Sequence, residues 1–251
     1  LLIINIKSAK LDDDHTLNEL KGNAQIKNNK IQKANLSAKF DEKNVFLFTK
    51  DEIEGKNVTT IFSDFAKPFV KKFKFIRGFD GGKLDYTSTT INDDLSKSEL
   101  RIYNFKLQDM PALTKLLSLA SLQGIADLAT GEGIRFNEFD MFFENSKNLI
   151  TINEIYALGP AISILMEGYV EKNELVSLRG TLVPATTINK TIAKIPLLGN
   201  ILVGNKMGEG VFGVSFKIKG HPKNLDTRVN PIKTLTPRFI TRTLDKIKKT
   251  N

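Results

Sequence analysis

The sequence predicts a mainly β protein with flanking helices, an α+β chain built on antiparallel sheet, and three observations carry that reading. Short apolar runs of period two alternate with polar turns along most of the 251 residues. Only a few segments place apolar residues at helical spacing, and these open on residues suited to start a helix. Hydrophobic residues make up 41% and charged residues 26%, with 17 Gly and 8 Pro, a composition that buries a sizeable core and lies outside the disordered and collagen-like classes.

From Leu1 to Lys50 the chain reads as an antiparallel meander. The run Ile31 to Phe40, for example, sets Leu36, Ala38 and Phe40 on one face between polar turns at Asn28-Asn29 and Asp41-Glu42. A helix is predicted over Ser63 to Phe75, with Ser63 as N-cap, Asp64 at the positive helix end, and Phe65, Phe69, Val70 and Phe73 at helical spacing. Gly78, Gly81 and Gly82 then turn the chain into strands Lys83 to Ile91 and Glu99 to Leu107, joined at Asn92-Asp93-Asp94.

Asp109 and Pro111 open a second helix carrying Leu113, Leu116, Leu117 and Ala120, which Gly124 interrupts. Four strands follow: Ile134 to Phe143, Leu149 to Tyr156, Ala161 to Val170 and Glu174 to Val183. In the first, the apolar phase moves from Ile134 and Phe136 to Phe139, Met141 and Phe143, which predicts a bulge near Glu138. A helical segment at Thr187 to Leu202 is broken by Pro196 and Gly199, a strand runs from Val211 to Lys219, and the chain ends in a helix. The organisation is a first meander over 1–108 with a helix at 63–75, a second over 109–233 with helical insertions, and a C-terminal helix over 234–251.

The first six residues read as a strand, with no charged leader or cleavage signal before them, so the chain is expected to be the C-terminal part of a longer protein. No apolar run reaches the length a spanning helix needs. A net charge of +9 favours anionic partners, while the absence of Trp, only 4 Tyr, and basic residues spread through the chain argue against nucleic acid. The chain has no Cys and 2 His, so no thiolate zinc site, thiol nucleophile or catalytic triad can be assembled, and no catalytic residues, metal or cofactor are expected. His15 follows Asp12, Asp13 and Asp14, which reads as a solvated acidic turn because alternating side chains of an extended run do not converge on an ion. Gly208 to Gly213 matches G-x-G-x-x-G but leads into a strand, not a helix, and so reads as a turn. His221 beside Pro222 reads as turn chemistry as well.

Two segments carry membrane hypotheses of their own. Ile188, Ile192, Ile195, Leu197, Leu198, Ile201 and Leu202 make Thr187 to Leu202 apolar enough either to cap one end of the sheet or to contact a membrane. Thr236 and Pro237 start an amphipathic helix to Lys249, with Phe239, Ile240, Leu244 and Ile247 on one side and Arg238, Arg242, Lys246 and Lys249 on the other. That helix either docks on an anionic membrane surface or packs on the sheet with its basic face in solvent.

The order of five motifs resembles the C-terminal region of the AsmA-like family of bacterial envelope proteins. These motifs are Ser63-Asp64-Phe65 through Arg77-Gly78-Phe79-Asp80-Gly81-Gly82-Lys83-Leu84; Gly131-Glu132-Gly133-Ile134-Arg135-Phe136; Arg179-Gly180-Thr181-Leu182-Val183-Pro184; Ile195 to Leu202; and Gly210 to Phe216 with Asn230-Pro231 and the basic helix. The resemblance covers about residue 55 to the end. It implies a long curved antiparallel sheet forming an apolar β-groove, capped by short helices. It further implies a periplasmic, non-enzymatic protein of a Gram-negative envelope that moves phospholipid between inner and outer membranes, anchored by a segment N-terminal to this region. Phospholipid, an anionic membrane surface and outer-membrane proteins are the partners it implies. On that reading, Ile162, Ile164, Met166, Val176, Leu178, Leu182, Phe212, Val214 and Phe216 are the candidate groove residues, although for any single strand plain core is favoured over lipid lining by about two to one. A structural or assembly factor for outer-membrane biogenesis and a hydrolase on a β-scaffold are the competing functions, the latter without any visible acid-base pair.

Overall fold

The computed structural model describes residues 1–70, 78–108, 113–114, 117, 131–184 and 213–232. Strands follow in chain order: β1 (Leu2–Lys10), β2 (Thr16–Lys27), β3 (Lys30–Lys39), β4 (Val45–Ile53), β5 (Lys56–Ser63), β6 (Phe79–Asn92), β7 (Leu95–Leu107), β8 (Ile134–Asn145), β9 (Leu149–Leu158), β10 (Ile162–Glu171), β11 (Leu175–Pro184), β12 (Gly213–His221) and β13 (Asn224–Ile232). One short helix, α1 (Lys67–Val70), lies between β5 and β6. Every strand pairs antiparallel with its neighbours in sequence, giving one 13-stranded sheet that is not closed, with β1 and β13 at its edges.

Turn chemistry explains this order. Asn28 (φ 51) with Asn29 (φ 56), and Glu54 (φ 52) with Gly55 (φ 73), form two-residue hairpin loops with both central residues in the left-handed region, the type I′ geometry whose twist matches that of the strands. These hairpins share one rim of the sheet with the turns after β6, β8, β10 and β12. The opposite rim carries the turns at 11–15, 40–44 and 159–161, the connection through α1, and the connections from β7 to β8 and from β11 to β12.

The main core lies toward the second rim and joins β6 to β12, with Ala66 and Val70 at α1 and the helical residue Leu117 packed into it. Phe79, Phe105 and Phe136 stack across β6, β7 and β8 at 5.2 and 5.3 Å. A smaller cluster of Leu17, Ala38 and Phe46 continues toward β1, where Phe69 stacks on Phe46 at 5.7 Å.

Several expectations are corrected. The segment from Ser63 does not begin a helix. Ser63 ends β5, and its hydroxyl closes a local turn, donating to the Phe65 carbonyl at 2.8 Å. The first helical bonds run instead from the N–H groups of Phe69 and Val70 to the Ala66 carbonyl, because Pro68 fixes the helical φ one turn later than the apolar spacing implied. Phe73 and Phe75 lie outside the described residues. No bulge occurs at Glu138: β7 and β8 pair there without a shift, Glu138 opposite Tyr103, and the neighbouring Asn104 has a φ of 53. The register shift lies between Phe142 and Phe143, against an extra residue of β9. Two strands not anticipated, β5 and β13, complete the sheet. The anticipated strands from 83 to 183 are present, the first four with longer bounds and the last two displaced by one residue, and β7 pairs with β8, so the sheet continues across position 108. Of the second helix only Leu113, Thr114 and Leu117 are described, as helical residues. Thr187 to Leu202 and Thr236 to Lys249 lie outside the described residues.

Candidate functional site

Directly opposed residues of antiparallel strands share a face, so the registers can be followed from edge to edge. One line runs through Ile4, Gly22, Leu36, Phe48, Ile61, Tyr86, Leu100, Met141, Ile155, Met166, Gly180, Phe216 and Val229, one residue from each strand. No charged residue interrupts it. At the usual inter-strand spacing it is roughly 55 Å long. Ile155 and Phe216 are buried and the other members are half-buried, so this middle line stays partly open to solvent.

A parallel inner line, nearer α1, runs Ala38, Phe46, Ser63, Leu84, Ile102, Phe139, Ala157, Ile164, Leu182 and Val214. Most of these are buried, with Leu182 at 0% exposure, and this line is the core proper. On the same face, a rim line nearer the hairpins changes character along its length. It begins Ala24, Ala34, Lys50, Thr59, Ser88 and Ser98, then becomes Phe143, Ile152, Gly168, Leu178 and Ile218. Hydroxyls join in its polar part: Ser98 Oγ lies 2.9 Å from Ser88 Oγ and 3.3 Å from Tyr86 Oη.

The sequence-predicted groove residues fall on this face. Ile162, Ile164 and Met166 of β10 share it with Val176, Leu178 and Leu182 of β11 and with Val214 and Phe216 of β12. Phe212 lies outside the described residues, as do Arg238, Phe239, Ile240, Arg242, Leu244, Lys246, Ile247 and Lys249. Lys50 was missed, although its signal was legible: it alternates with Phe46 and Phe48 and therefore shares their face.

The opposite face is polar and laced with ion pairs, among them Arg179–Glu167 at 2.7 Å, Lys97–Glu144 at 3.2 Å and Arg101–Asp140 at 3.8 Å. Between β8 and β11 this face is buried too, at Asp140, Tyr156 and Thr181.

Two carboxylates anchor the long-connection rim. Asp64, with its side chain 7% exposed, accepts the Val45 N–H at 2.9 Å and pairs with Lys83 at 2.8 Å. Burial raises the Asp64 carboxyl, but Lys83 and the Val45 N–H outweigh it and hold the group below the usual carboxylate value. Asp12 behaves alike: burial raises it, and hydrogen bonds from the His15 ring and from the N–H groups of Asp14 and His15 bring it below the usual value. Residues 11–15 are not an extended run but a turn, which brings ligand atoms of Asp12, Asp14 and His15 within 4.8 Å of one another. Their hydrogen bonds and the packing of His15 against Phe40 and Phe65 account for the cluster as a turn. His221 also acts locally, its Nδ1 accepting the Lys223 N–H at 3.2 Å.

No family model, curated protein or solved structure matches this chain. Among the described residues no helix is long and apolar enough to cross a membrane.

Proposed function

We propose that this chain is a non-enzymatic lipid-binding segment, in which phospholipid acyl chains lie along the apolar face of the open sheet and move across its strands. The observation that supports this is the middle line: an apolar row crossing all 13 strands and left half-open beside a core already filled by the inner line. An ordinary sheet covers its apolar face with helices or a second sheet, and a long, partly open apolar stripe is a ligand or membrane surface. The resemblance to the AsmA-like family supplies the setting of the proposal: a curved groove in the periplasm of a Gram-negative envelope, capped by short helices, moving lipid between inner and outer membranes. The C-terminal helix docking on an anionic leaflet through Arg238, Arg242, Lys246 and Lys249 belongs to the same reading.

The test is native mass spectrometry of the purified chain after incubation with phospholipid vesicles. Bound glycerophospholipid is expected on the wild-type protein, and Met141→Asp, which puts a carboxylate into the middle line, is expected to keep its strand circular dichroism and lose the lipid. A lipid-free wild-type chain, or lipid retained by a folded Met141→Asp variant, overturns the reading.

The same family resemblance also admits a second reading, an assembly factor for outer-membrane biogenesis. Transfer of labelled lipid between donor and acceptor vesicles separates the two, since an assembly factor gives none.

A further inference from the structure

We infer that the polar stretch of the rim line, centred on Lys50, is a headgroup site for an anionic phospholipid, with the phosphodiester on Lys50 and Thr59. This assignment rests on the lipid-binding reading above and adds a polarity to it: acyl chain on the middle line, headgroup toward the hairpin rim. Lys50 is the one charged residue in the three lines across this face, and it is half-buried. Its register partners are Ala34 on one side, too small to occupy the space beside it, and Thr59 on the other. Among the described residues Lys50 has no ion-pair partner, although other lysines on the neighbouring strands do, such as Lys33 with Asp51 at 2.7 Å. The nearest acid on the same face, Glu52, is exposed two residues closer to the hairpin.

A half-buried ammonium against an apolar floor favours an anion that brings its own apolar part. Beyond Thr59 the line continues as Ser88 and Ser98, and the Tyr86 hydroxyl reaches from the middle line toward Ser98. These hydroxyls lie within roughly 15 Å of Lys50, at the spacing of successive strands. Of these, Ser98 is buried and donates to Ser88, whose own proton is left to bond the glycerol and ester oxygens of the same lipid, at the boundary where its polar part meets its chains. From β8 onward the rim line is apolar, and no equivalent site exists there among the described residues. The headgroup site is therefore confined to the β4–β7 stretch of the face.

The experiment loads the full chain separately with phosphatidylglycerol and with diacylglycerol of the same acyl composition, and reads occupancy by native mass spectrometry. Phosphatidylglycerol is expected to exceed diacylglycerol by about fivefold, the effect of one lysine at a lipid phosphate. Lys50→Gln is expected to bring phosphatidylglycerol down to the diacylglycerol level while leaving diacylglycerol binding and the melting temperature unchanged, and Lys50→Arg to retain the preference. Glycerol 3-phosphate at the same concentration is expected not to compete, because it lacks the chains. Equal occupancy by the two lipids in the wild type, an unchanged preference in Lys50→Gln, or displacement by glycerol 3-phosphate overturns the headgroup site while leaving acyl-chain binding standing. Binding of neither lipid overturns the lipid-binding reading and the headgroup site with it.

Discussion

The ring of Phe216 on β12 occupies the space a side chain at Gly180 would fill: a Cβ built at Gly180, its register partner on β11, meets Phe216 Cζ at 2.6 Å and Cε1 at 3.0 Å. The Leu165 carbonyl oxygen is closer still, so the backbone of β10 leaves no room either. Gly180→Ala is therefore expected to destabilise the chain by about 1–3 kcal/mol through overpacking, seen as a lower urea midpoint with an unchanged slope. An unchanged midpoint would show that both Phe216 and the β10 backbone at Leu165 give way freely.

Leu100 and Ile102 stand two residues apart on β7, on the same face, in the middle and inner lines respectively. Ile102 is 4% exposed and Leu100 half-buried. Ile102→Ala is expected to cost about 2–5 kcal/mol and Leu100→Ala less than half of that, because only the first leaves a closed cavity. Lipid occupancy is expected to move the other way, falling in Leu100→Ala and holding in Ile102→Ala where that variant folds. Urea unfolding and native mass spectrometry on the same samples check both.

Stability is expected to fall in acid. The Asp64 carboxyl is held below its usual value in the folded chain, so its contribution is fully present above about pH 4, the unfolded value, and disappears as pH falls through the lower folded value. Asp12 acts in the same direction. Asp64→Asn is expected to be less stable at neutral pH and to lose less between pH 5 and about pH 3 than the wild type. Urea midpoints at the two pH values test this, and parallel losses in the two proteins would remove Asp64 from the account.

Glu54 adopts φ 52 in the hairpin between β4 and β5, where Ile53 pairs with Lys56. A Glu in that conformation is strained, and Asn tolerates it. Glu54→Asn is expected to stabilise the chain by about 0.5–1 kcal/mol, raising the melting temperature by a few degrees. A lowered melting temperature would show that Glu54 makes a contribution its backbone does not reveal.

Much of the sheet was legible because each hairpin announces itself locally. Asn28-Asn29, Asn92-Asp93-Asp94 and the turn at Asn173 mark chain reversals that need no knowledge of distant residues. What escaped is what depends on neighbours. In β5, Ile61 and Phe62 are adjacent apolar residues on opposite faces, which blurs the alternation, and in β13 Leu225, Val229 and Ile232 are widely spaced among charged and polar residues. Ser63 carries the sequence signature of a helix cap, yet its side-chain bond closes a turn at the end of a strand. The candidate face was legible strand by strand, as in Ile164 opposite Leu182. Its continuity across the sheet was not, because register depends on every turn length and on irregularities such as those after Thr90 and Phe142.

Since each strand pairs only with the strands before and after it in sequence, the sheet is built one neighbour at a time, and it resembles a row of hairpins more than a closed globule. Adding or deleting a hairpin shifts the length of the apolar track by two strand spacings. Duplication of a hairpin is thus an inexpensive evolutionary step, and the sheet can lengthen two strands at a time.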